Sequence, residues 1–161
     1  MANIRARTAT FLATVTALIL VLLFGNSSYS DWVSHHAAGT SAGDVFLQQL
    51  TWPHWGFSTN DSTRNLFVGD FKAILLVVLT WVFVMVVGRG PWSGLRGGIG
   101  HFLHGWAAYM FAGAFAGLIA AFFVSSASFA GALASAMGGV VYGLIVGWIV
   151  GLVTLASDGG S

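Results

Sequence analysis

The sequence predicts an all-helical, polytopic membrane protein with four transmembrane helices, and three observations predict it. Hydrophobic residues make up 57% of the 161-residue chain and charged residues only 7%, where a typical soluble chain carries roughly 25% charged residues. Such a composition cannot cover itself with polar surface, so its outside must face lipid. The apolar residues also gather into runs long enough to cross a hydrocarbon core, and none of these runs has an ionisable side chain in its interior.

The first run, 8–25, follows Arg5 and Arg7. The second, 71–88, spans only if Lys72 snorkels outward and the helix starts near Asp70, a suitable N-cap. The third covers 105–124, and the fourth, 129–156, is long enough that it must tilt or project. At about 1.5 Å per residue, eighteen to twenty residues reach roughly 27–30 Å. Backbone groups in lipid must be satisfied within the segment, so these runs become helices. The link Ser125-Ser126-Ala127-Ser128 is so short that the third and fourth spans form an antiparallel hairpin. The whole chain is then a single transmembrane domain with one sizeable extracytoplasmic loop at 26–70.

Basic residues set the orientation. Arg5 and Arg7 precede the first span, and Arg89 and Arg96 separate the second from the third. Placing them inside leaves only Arg64 and Lys72 outside, so both termini are expected in the cytoplasm. An alternative reading makes the first run a signal peptide cut before Asp31, after Ser28-Tyr29-Ser30.

The 26–70 loop is rich in aromatics: Trp32, Phe46, Trp52, Trp55 and Phe57. A short helix is expected from Ser41-Ala42-Gly43-Asp44 to about Leu50, ended by Pro53. The aromatics are expected to lie at headgroup level or to cap the helix bundle. Asn26-Ser27-Ser28 and Asn60-Asp61-Ser62 fit the glycosylation sequon, which has meaning only in a eukaryotic secretory pathway.

The strongest pattern lies in the fourth run. Gly139, Gly143, Gly147 and Gly151 recur every fourth residue, and Ser135 extends the row by a turn. Residues four apart share a helix face, so this face is a groove that another backbone can approach closely. The third run offers a partner surface in Ala108, Ala112, Ala116 and Ala120, flanked by Gly113, Gly117 and Ala121. Two uses are open: closing the hairpin within one chain, or joining copies into an oligomer.

Candidate chemistry is sparse. Within the spans the polar groups are hydroxyls such as Thr16, Thr80, Tyr109 and Tyr142, which argues against a proton relay. His101 and His104, one turn apart, are a candidate haem or metal pair, and their plainer reading is interfacial side chains beside Trp106. His35, His36 and His54 supply further donors but match no ligand spacing. Gly39-Thr40-Ser41-Ala42-Gly43 fits G-x-S-x-G literally, but a loop of this size cannot build the hydrolase sheet that gives the motif meaning. Arg89 and Arg96, with Trp92, sit in a glycine-rich loop suited to anionic lipid headgroups; a phosphate loop fails because Ser93 occupies the last glycine position. With no Cys, thiolate chemistry is excluded, and a net charge of +1 points to no nucleic acid.

The expected function is therefore non-catalytic and needs no cofactor: an accessory or scaffold subunit of a membrane complex, or a self-assembling component. Its partners would be the lipid bilayer and either a membrane protein or further copies of the chain. A small oligomeric pore or carrier is the second reading, and a haem- or metal-binding subunit the third.

Overall fold

The computed structural model describes residues 2–37, 39–55, 63–87, 98–123 and 128–158. These form six helices: α1 (Ala2–Phe24), α2 (Ser27–His36), α3 (Ala42–Leu50), α4 (Thr63–Val87), α5 (Gly98–Ala121) and α6 (Phe129–Asp158). Four of them, α1, α4, α5 and α6, are long and apolar enough to cross a membrane. Arg89, Arg96 and Trp92 in the glycine-rich loop, the sequon at Asn60, Phe57 and the 125–127 link lie outside the described residues.

The long helices form a closed ring. α1 packs on α4, α4 on α5, α5 on α6, and α6 back on α1, with α5 and α6 in the most extensive contact. α5 and α6 are antiparallel, since Gly105 meets Thr154 at one end and Gly117 meets Ser135 toward the other. α4 and α5 are antiparallel too: Phe71 packs edge-on to Phe123 at 5.0 Å, and Phe83 lies 6.0 Å from Phe111. Small side chains fill the middle. Ala13, Ala17, Ala108, Ala112 and Ala116 are fully buried, with Leu76, Val146 and Val150 between them. Alanine at these positions lets helix axes approach and gain dispersion contact.

Residues 25–55 cover one end of the ring, referred to below as the capped end. Asn26 both ends α1 and starts α2: its Nδ2 donates to the Leu23 carbonyl at 2.8 Å, and its Oδ1 accepts from the Tyr29 amide at 2.8 Å. Trp55 ties the segment down, donating from its backbone to the Gly25 carbonyl at 2.7 Å and from Nε1 to the Val21 carbonyl at 2.8 Å. The orphan carbonyls of Leu22 and Leu23 at the end of α1 are satisfied by Asn26 Nδ2. The approach needs glycine at position 25, where a Cβ would stand 2.7 Å from the Pro53 and Val21 carbonyl oxygens.

α3 opens on a capping box. Ser41 Oγ accepts from the Asp44 amide at 3.2 Å, and Asp44 Oδ2 accepts from the Ser41 amide at 3.3 Å. The serine of the literal G-x-S-x-G is thus a helix cap. Two boundaries differ from the sequence expectation. α4 begins at Thr63, ahead of Asp70, so Asp70 lies inside the helix and is not its N-cap. α5 begins at Gly98, which puts His101 and His104 within the helix. The segment 26–70 also holds a helix the sequence reading omits, α2, and gives its last turns to α4.

Candidate functional site in the seam between α5 and α6

The row of small residues on α6 faces α5 along its whole length. A Cβ added at Gly139 would run into the Gly113 carbonyl, and one at Gly113 into the Gly139 carbonyl. Gly117 stands in the same way against the Ser135 carbonyl. A Cβ at Gly143 would lie 2.5 Å from the Met110 Cα, at Gly147 2.8 Å from the Trp106 ring, and at Gly151 2.8 Å from the Phe102 carbonyl oxygen. Backbone therefore meets backbone at the middle of the seam, and both backbone and aromatic side chains toward the uncapped end. The glycine face is occupied by α5 of the same chain.

Polar groups in this seam are paired. Tyr109 and Tyr142 are both fully buried, and their hydroxyls meet at 2.8 Å. Thr154 Oγ1 sits 2.8 Å from both the His101 and the Gly151 carbonyl oxygens, in the space left by Gly105. Trp106 Nε1 donates to the Leu144 carbonyl at 3.1 Å. On α4, Thr80 Oγ1 bonds back to the Leu76 carbonyl at 2.7 Å. A buried hydroxyl without a partner costs about 1–3 kcal/mol, so the pairings that cross from α5 to α6 fix helix register as well as satisfying themselves, while Thr80 is satisfied within its own helix.

Above the tyrosines lies an aromatic plug from the capped end. Trp52 stacks on Tyr142 with ring centroids 5.2 Å apart and planes 21° from parallel. Glycine makes room for it: a Cβ at Gly138 would be 3.0 Å from Trp52 Nε1, and one at Gly117 3.1 Å from Trp52 Cζ2. Lys72 Nζ lies 4.6 Å from the centroid of the same indole, a cation–π contact. The order inward is ammonium, indole, phenol, phenol.

The histidines are scattered. His104 Nε2 is 3.0 Å from the Val84 carbonyl and links α5 to α4. His101, one turn earlier, shares its helix but offers its carbonyl to Thr154. His36 stacks on Trp32 at 4.9 Å with its Nδ1 2.9 Å from the Trp32 carbonyl, His35 is exposed on α2, and His54 lies near the start of α4. Among the described residues, no three His, Asp or Glu side chains converge as a metal site would require.

In the sequence, Tyr109 and Tyr142 are only isolated hydroxyls, and Trp52 is only one of several aromatics. Their register is the missing information: they meet because the glycine row fixes how α6 lies along α5. No family model, curated protein or solved structure matches this chain.

Proposed function

We propose that the chain is a multi-pass membrane protein with four spans and both termini in the cytoplasm, so that the capped end is extracytoplasmic. In this reading it acts without catalysis, as an accessory or scaffold subunit whose outward apolar faces meet lipid and the helices of a membrane partner. The observation that carries the reading is the division of side chains between inside and outside. The small residues are spent on closing the α5–α6 seam, while large apolar ones, among them Phe111, Phe115, Leu144 and Trp148, are left exposed along the helices. Exposed apolar surface of this extent fits lipid or partner helices and is unsuited to water. Arg5 and Arg7 in the first turns of α1, with Arg89 and Arg96 between α4 and α5, support the orientation.

A pore or homo-oligomer lined by the glycine face would require α5 to leave the seam, because α5 fills it. Contact between copies or partners is better served by the outward face of α5 or by the exposed Trp32 on α2.

Site-specific photocrosslinking in native membranes tests the proposal, with the crosslinker placed in turn at Phe111, Phe115, Trp148 and Trp32. The reading expects a discrete protein adduct of reproducible mass from one of these faces. Absence of protein adducts at all four, together with solute flux in liposomes containing the purified protein alone, would replace it with the carrier reading.

A further inference from the structure

Lys72 is the single lysine of the chain, and it is half-buried in α4 with its ammonium over Trp52. No acidic side chain among the described residues pairs with it. Asp44 is engaged in the capping box of α3, and Asp31 is exposed on α2. Asp70 lines the groove between α1 and α4 with Trp55 and Ala73, and two residues of helix turn it well away from Lys72. The indole of Trp52 is in the same condition. Trp55 and Trp106 each donate their indole N–H to a backbone carbonyl, whereas Trp52 Nε1 has no acceptor among the described residues. Two donors without an acceptor among the described residues thus share one indole, the ammonium 4.6 Å from its centroid and Nε1 on its edge, in a position held by the Tyr142 stack and by Gly138. Among the described residues no buried side-chain nitrogen or oxygen lacks a partner, so both donors are open to a ligand, and donors of this kind, one of them cationic, select an anion.

We propose that Lys72 Nζ and the Trp52 indole N–H form a binding site for a phosphate-bearing anion at the capped end of the bundle. Nε1 belongs to the ring that the ammonium covers, so oxygens of one phosphate group can meet both donors. The charge-assisted bond to lysine supplies the attraction, and the indole N–H supplies direction. The site rests on the membrane reading only for the source of its phosphate: Lys72 lies near the capped end of the apolar part of α4, the depth at which an outer-leaflet headgroup would meet it.

The test is native mass spectrometry of the full-length protein in detergent, offered phosphatidylglycerol, phosphatidylcholine or inorganic phosphate. Wild type is expected to retain phosphatidylglycerol at least five-fold more than phosphatidylcholine, whose choline would be repelled. Lys72→Met and Trp52→Phe should each lose most of that retention, while Lys72→Arg keeps it and Trp52→Phe keeps the aromatic stack. Displacement of the lipid by millimolar inorganic phosphate would assign the site to the free anion; failure of phosphate to displace it would assign the site to the lipid. Equal lipid retention by wild type, Lys72→Met and Trp52→Phe, or no retention by wild type, overturns the proposal and leaves the membrane reading standing on its own tests.

Discussion

Tyr109 on α5 and Tyr142 on α6 meet hydroxyl to hydroxyl at 2.8 Å, with both side chains sealed from solvent. The pair sits midway along a seam in which Gly113, Gly117 and Gly139 let backbone meet backbone. Each phenol is held by its neighbour and by helix packing, so the two constitute one polar element inside an apolar interior.

Non-additivity is the expected behaviour of that pair. Tyr109→Phe or Tyr142→Phe alone leaves the other hydroxyl buried without its partner and should cost about 1–2 kcal/mol. The double variant removes both polar groups and should recover at least half of the summed loss. Thermal or denaturant unfolding of the four proteins in one detergent measures this. Strict additivity would show that the hydroxyls do not depend on each other.

The glycines should rank by what a side chain would strike. Gly113→Ala and Gly139→Ala each drive a methyl into the facing backbone carbonyl, and backbone cannot step aside. Losses of about 2 kcal/mol or more are expected there, in the range of overpacked cores. Gly147→Ala meets the Trp106 ring at 2.8 Å and should cost less, since a side chain can shift. Gly43→Ala on α3 meets only Ser41 Oγ at 3.8 Å and should be neutral or add up to about 1 kcal/mol through helix propensity. Leu144→Ala, on the exposed face, should also do little. Yield of folded protein by fluorescence-detected size exclusion gives the order.

The four long helices were legible because apolar length is a property of sequence alone, and the row Gly139, Gly143, Gly147, Gly151 was legible because its period is that of a helix face. What that row faces is not legible in the sequence, since a small-residue surface accepts any close backbone. α2 was not legible. Its ten residues, Ser27–His36, mix serines with Trp32 and paired histidines without an apolar period, and the helix depends on the Asn26 cap and on Val33 buried beneath it. The start of α4 was misplaced for a related reason: Asp70 is a good cap by type, but the helix already runs from Thr63. The Lys72–Trp52–Tyr142 stack joins three segments distant in sequence, which no local pattern marks.

α1 should remain in the mature protein. Ala13, Ala17, Leu20 and Val21 are buried in the ring, and the end of α1 holds Trp55 through the Val21 and Gly25 carbonyls. The bond that a signal peptidase would cut, before Asp31, lies inside α2. Intact-mass measurement of protein purified from membranes is expected to include α1, and a chain starting at Asp31 would disprove this. Trp55→Phe, which removes only the indole donor, should cost about 1 kcal/mol and loosen α1, read as faster amide exchange at its last turn.

The chain has no cysteine, so a single introduced thiol reports one position, and membrane topology is the most direct test of the account. Thr40→Cys places a thiol at an exposed site beside α3, and Ser157→Cys places one in the last turn of α6, at the other end of the bundle. With intact cells, a membrane-impermeant maleimide should label Thr40→Cys at once and Ser157→Cys only after permeabilisation, with both proteins staying in the pellet on alkaline carbonate extraction. Labelling of both thiols from the same side, or release of the protein into the carbonate supernatant, would contradict a four-span bundle capped on its outer face.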